Sequence, residues 1–231
     1  MTNTLHRAGS PASLRDDFIV FAMATRANAE GAVPKLQAFL RTAARHAPVN
    51  LGNAKVGGFF RPCERLTPLV HWRREDGGLT PDEVIAGVDA PSVVCAVFDD
   101  RARMEAFLAD VSRQALGISV NVSALTDEAR QAAARAGIVR HSVEFSLGFC
   151  LGQTDRLPDR LTLELSTMCG HGMIAAGLAQ KMVELVKEGR RAPGEAARCL
   201  ARFCSCGVFN PARAERLLGE AAQGRAAPCS R

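Results

Sequence analysis

With 231 residues, 47% of them hydrophobic and 23% charged, the chain has the make-up of a soluble globular protein long enough for a substantial core. No apolar run approaches the ~20 residues that span a bilayer, and residues 1–17 carry no apolar leader, so no membrane contact and a cytoplasmic location are expected. A net charge of +5 dispersed among acids, an aromatic share of 5% and no Tyr argue against a nucleic-acid surface, while the excess of arginine suits a small anionic substrate.

In chain order, residues 1–15 are rich in Ser, Pro, Ala and Arg and read as a loose tail. Residues 18–24 form a short apolar run with the look of a buried strand. Residues 31–47 then show helical spacing through Val33, Leu36, Leu40 and Ala43, stopped by Pro48. Residues 55–60 and 68–72 read as strands. Thr80-Pro-Asp-Glu83 is a capping box with Pro at the first helical position, predicting a short helix to about Gly87. Residues 92–98 are a further buried strand. The order to this point is β-α-β-β-α-β, that of a ferredoxin-like sandwich.

The alternation continues. Asp99 and Asp100 cap a helix running to Gly117, residues 118–122 alternate as a strand, and Thr126 caps a helix ending at Gly137. Val143, Phe145, Leu147 and Phe149 alternate with polar or small residues, as do Leu161, Leu163 and Leu165. Those two stretches predict a hairpin across the loop 153–159. Beyond Gly172 the pattern is helical: 173–188, 194–203, and 210–222 with Asn210 as cap and Pro211 at the first position. The expected fold is therefore α/β, an alternating mixed sheet with packed helices. The sheet domain spans 16–166, a helical cysteine-bearing segment spans 167–222, and a second loose tail spans 223–231.

Eight cysteines without an export signal argue against a disulfide scaffold. Cys63, Cys95 and Cys150 are isolated and read as small buried hydrophobes, Cys229 lies in the tail, and His71 and His141 read as structural. Cys169, Cys199, Cys204 and Cys206 are the unusual group. Cys169 and His171 fall in a glycine-rich turn expected at the N-terminus of a long helix, where a positive field and free N–H groups favour thiolate. A helix of about 16 residues followed by a returning one of about 10 spans ~24 Å out and ~15 Å back. A few extended residues close the difference, so Cys204 and Cys206 can arrive beside Cys169 and His171.

Three thiols and an imidazole form a soft donor set suited to an iron–sulfur cluster or, alternatively, to zinc. On this reading Cys169, Cys204 and Cys206 hold the metal, Cys199 is the substitute fourth ligand, and His171 is a ligand or proton shuttle. An open metal position would act as a Lewis acid on a small, anionic molecule, in lyase-type elimination, hydration or carbon–sulfur cleavage. A structural zinc in a binding or maturation protein is a further alternative, and homo-oligomerisation is left open. Met168-Cys-Gly-His-Gly172, followed by an apolar helix, also resembles the thiol motif of proline racemases and their diaminopimelate-epimerase relatives. The resemblance covers five to eight residues. It implies a cofactor-independent isomerase with Cys169 and Cys206 as the proton-exchanging pair. Cys206-Gly-Val-Phe-Asn lacks the Gly-x-Gly-Thr/Ser continuation of that family's second motif.

Overall fold

The computed structural model describes residues 5–55, 57–60, 78–146 and 148–224. The first half contains α1 (Pro11–Leu14), β1 (Phe18–Met23), α2 (Ala32–Arg45), β2 (Asn50–Asn53), β3 (Gly57–Gly58), α3 (Pro81–Ala86) and β4 (Val93–Phe98). It continues through α4 (Arg101–Gln114), β5 (Ser119–Ser123) and α5 (Thr126–Arg135). After a 3-10 turn at Thr154–Arg156 come α6 (Arg160–Ser166), α7 (Ala176–Lys187), α8 (Pro193–Ala201) and α9 (Pro211–Ala222). The fold is α/β with a helical C-terminal segment. No helix among the described residues is long and apolar enough to cross a membrane.

The sheet order is β3-β2-β4-β1-β5. All four pairings are antiparallel, where a mixed sheet was expected. Without the two-residue β3, the strands in chain order 1 to 4 lie side by side as 2-3-1-4, which is the order and sense of a ferredoxin-like unit. The unit is completed by α4 and β5, however, and not by the stretches expected to close it. Of the expected strand at 55–60 only Gly57 and Gly58 pair, and the one at 68–72 lies outside the described residues.

Period-2 alternation gives each central strand two buried faces. Phe18, Val20 and Ala22 of β1, with Val94, Ala96 and Phe98 of β4, pack on α2, α3 and α4. Ile19 and Phe21, with Cys95 and Val97, face the C-terminal helices. The result is three layers, with the helical segment covering the face that carries Cys95. Local signals place several boundaries as expected. Thr80 and Glu83 form the reciprocal capping box, Asp100 caps α4, and Asn210 caps α9 ahead of Pro211.

Three expectations are corrected. Residues 161–165 are not a strand but part of α6, because Asp159 caps the Thr162 N–H and hydroxyl. Leu161 and Leu165, four apart, then meet the helical core together. The hairpin is absent, since Val143, Phe145 and Phe149 stand exposed in an irregular segment. The helical layer thus begins at Arg160, ahead of the expected boundary at 167.

The N-terminal segment is not a loose tail over its described part. Leu5 is buried, the His6 N–H donates to the Gly170 carbonyl, and the Ala8 N–H donates to Thr167 Oγ1. Arg7 pairs with Asp17. Of the tail expected at 223–231, residues 225–231 lie outside the described part.

The same segment joins a buried charge cluster. Arg213 of α9, fully buried, pairs at 2.9 Å with both Asp17 Oδ2 and Glu164 Oε2. Ser13 Oγ donates to Glu164, Asn210 Nδ2 donates to Asp17, and Arg160 reaches the outer oxygen of Glu164. Burial raises the Asp17 carboxyl, but Arg7 and Arg213 outweigh it and hold the group below its ordinary 3.8. This cluster clamps the N-terminus, α6 and α9 around the turn that carries Cys169.

Candidate thiolate site

Cys169 and His171 lie between α6 and α7. The turn is not at a helix N-terminus: α7 begins only at Ala176, with Ala175 as its cap. Gly170 and Gly172, with φ of +72° and +66°, break the helix instead. That path aims the backbone N–H groups of His171 and Met173 back at Cys169 Sγ. A matching loop joins α8 to α9. There Gly207 has φ +71°, and the Val208 N–H is aimed at Cys204 Sγ.

The two loops meet. Cys169 and Cys204 are hydrogen-bonded through their side chains. Cys204 Sγ lies 3.8 Å from Cys206 Sγ, and Cys206 Sγ lies 3.4 Å from His171 Nδ1. All three sulfur-bearing residues are buried, and His171 is half-buried. The four groups expected to converge from distant parts of the chain therefore do so.

Cys199, expected as a substitute ligand, does not join them in any described hydrogen bond. It is half-buried on α8 against the helical core. Cys95 joins instead. Its Sγ donates at 2.8 Å to the Cys206 carbonyl, and it is electrostatically coupled to Cys204. No sequence signal marks it, because a mid-strand cysteine differs from its neighbours only through what the far helical layer places opposite. Cys150, expected to be buried, is exposed, and Cys63 and His71 lie outside the described residues.

Three thiols, of Cys169, Cys204 and Cys95, are pushed up from their ordinary values. For Cys169 the hydrogen bond with Cys204 pushes the thiol up, with burial adding to it, and the two amides only partly offset this. At Cys204 the Cys169 thiol acts downward, but the bond to Cys206 and burial prevail, taking the group up to about 12. Burial, then Cys204, raises Cys95 well above its ordinary value. Clustered buried sulfurs cannot all carry charge without a cation among them.

Beside the cluster is a small cleft lined by Leu5, Phe21, Val93, Cys95, His171, Cys206 and Val208. Among the described residues its walls carry no lysine or arginine. His171 Nε2 is buried without a hydrogen-bond partner among the described residues. Among the described residues, no three His, Cys, Asp or Glu side chains are arranged as they would be around a metal ion. The donors form a string, Cys169–Cys204–Cys206–His171. Enclosing an ion requires their side chains to turn inward.

The Cys-x-Cys loop lies directly on β2, with glycine on both sides of the contact. A Cβ at Gly52 would fall 2.4 Å from the Cys206 carbonyl oxygen and 2.6 Å from Gly207 Cα. Both obstacles are backbone. Gly52→Ala is expected to cost about 1–3 kcal/mol in denaturant unfolding. It should also speed alkylation of Cys204 and Cys206 as the loop is pushed off the strand. Unchanged stability and unchanged thiol reactivity would refute this close packing.

The chain matches no protein-family model, no curated protein and no solved structure.

Proposed function

We propose that Cys169, Cys204 and Cys206 form a thiolate metal centre that works as a Lewis acid on a small molecule reaching it by way of the adjacent cleft. One observation carries this reading: three backbone N–H groups are aimed at two buried sulfurs whose protons burial and neighbouring thiols retain. Neutral thiols are weak acceptors, whereas amides directed at sulfur stabilise thiolate. The backbone is thus arranged for charged sulfur, and a cation is what would let the protons leave.

The spacing favours a single ion. With metal–sulfur bonds of about 2.3 Å, the edge of a tetrahedral thiolate site is about 3.8 Å. Cys204 and Cys206 stand 3.8 Å apart. A multi-iron cluster spreads its cysteines farther, so the zinc alternative gains over iron–sulfur. His171 would be the proton carrier: its Nδ1 rests on Cys206, its ring lines the cleft, and its buried Nε2 has no hydrogen-bond partner among the described residues. The apolar walls, with no lysine or arginine among the described residues, suit a small neutral molecule better than an anion.

The isomerase reading has less support, because it needs Cys169 or Cys206 as a ready thiolate base and Cys169 is driven the other way. Elemental and sulfide analysis of anaerobically purified protein tests the proposal. One thiolate-bound ion per chain, without sulfide, is the expected result. Brown protein with sulfide would restore the iron–sulfur reading. Metal-free protein that takes up neither zinc nor cobalt would overturn the metal centre. Loss of the fold on chelation would assign the ion a structural role.

A further inference from the structure

From Val139 to Leu157 every described residue is exposed, which is unusual for a stretch containing Val139, Val143, Phe145, Phe149 and Leu151. The apolar positions fall on alternate residues, and between them stand Ser142, Glu144, Ser146, Gly148 and Cys150. This is the pattern of a strand with one face to bury. An apolar face of this size on a lone molecule marks an interaction site.

The sheet offers a matching edge. β5 pairs only with β1, and no other strand among the described residues lies along its second side. Its sequence, Ser119-Val-Asn-Val-Ser123, has none of the devices that protect an edge: no charge and no proline. Val120 and Val122 are only half-buried on the core of the α2/α4 layer, so an added strand would extend that core.

The arm is not positioned to fill this edge in its own molecule. His6 Nδ1 and Ser146 Oγ, 3.2 Å apart, hold the middle of the arm beside the N-terminal segment. The adjacent Arg7 binds the carbonyl of Ser123, the last residue of β5, at 2.9 Å. The arm therefore passes the end of β5 and does not run along it.

We propose that the 139–151 arm adds as a strand to the β5 edge of a second copy of this chain, reciprocally, making a twofold dimer. Phe145 is 66% and Phe149 37% exposed, so of the about 150–250 Å² each ring carries, the two copies together bury roughly 300–500 Å². The valines and leucines carry the total toward the ~1,200–2,000 Å² of a specific interface.

Sedimentation equilibrium on the full chain, with hydrogen exchange at low and high concentration, tests this. A dimer is expected at about 100 μM, with protection of the arm and of β5 rising with concentration. Phe145→Asp with Phe149→Asp should weaken the dimer about 100-fold or more. Both positions are exposed in the single chain, so its far-ultraviolet circular dichroism should be unchanged. A monomer at that concentration, a dimer indifferent to the double variant, or arm protection independent of concentration (pairing within one chain) would each overturn the proposal.

Discussion

Arg213→Met is expected to destabilise the fold by about 3–5 kcal/mol, the scale for leaving a buried ion uncompensated. Arg213 is fully buried and bonds Asp17, Glu164, Ser13 and the Ala8 carbonyl. Removing its guanidinium strands the inner oxygen of Glu164 in the interior, with Ser13 alone left on it among the described residues. Asp17 keeps Arg7 and Asn210. The loss should therefore be concentrated on Glu164, and adding Glu164→Gln should recover part of it. Urea unfolding of the single and double variants measures this. A single variant within 1 kcal/mol of wild type would show the cluster to be energetically idle.

The same cluster sets an acid limit. The Asp17 carboxyl is depressed in the folded state below 3.8, so on acidification the unfolded chain takes up its proton first. Its contribution is present in full above that value and is lost as pH falls from there toward the folded-state pKa. Asp17→Asn should flatten the fall in stability below about pH 4 relative to wild type.

What the chain reveals by itself follows the range of the interaction involved. β1 and β4 are legible because burial on both faces leaves continuous apolar runs. The starts of α3 and α9 are legible because a capping residue followed by proline is a contact between neighbours in sequence. The 161–165 helix was hidden because Leu161, Leu163 and Leu165 satisfy a period of two as well as an i,i+4 pair, and only the cap from Asp159 decides between them. Residues 143–149 alternate in the same way, but alternation reports a face to be buried and not the strand that covers it.

Long-range pairing was the least visible. Nothing near Arg7 or Ser13 announces Arg213, some two hundred positions away, so the N-terminal segment read as a tail. At the site, chain length and loop geometry sufficed to bring Cys169, His171, Cys204 and Cys206 together. They could not show that glycine turns, and not a helix end, direct the amides. Nor could they separate Cys95, which bonds the Cys206 carbonyl, from Cys199, which stays on α8 outside the string.

Cys204→Ser carries the largest expected effect on the proposed centre, because Cys204 is the middle of the string. It touches Cys169 on one side and Cys206 on the other, and it receives the Val208 amide. Serine keeps the size and a hydrogen-bonding group but supplies no soft donor, so uptake of cobalt or zinc should fall by at least about 100-fold, or ~2.7 kcal/mol. The fold should persist, since the variant adds no volume and leaves no charge buried. Cys199→Ser, on the same helical segment but outside the string, should bind as wild type does.

The pH dependence gives an independent check. With the Cys204 thiol up at about 12 and Cys169 raised as well, every ion bound near neutrality must displace protons. Affinity should climb with pH throughout the neutral range, about tenfold per pH unit for each proton released. In Cys204→Ser the slope should drop by one proton. Metal uptake indifferent to pH, or equal in Cys204→Ser and wild type, would mean that the ion sits elsewhere and that the converging sulfurs serve only to pack the helical layer against β4.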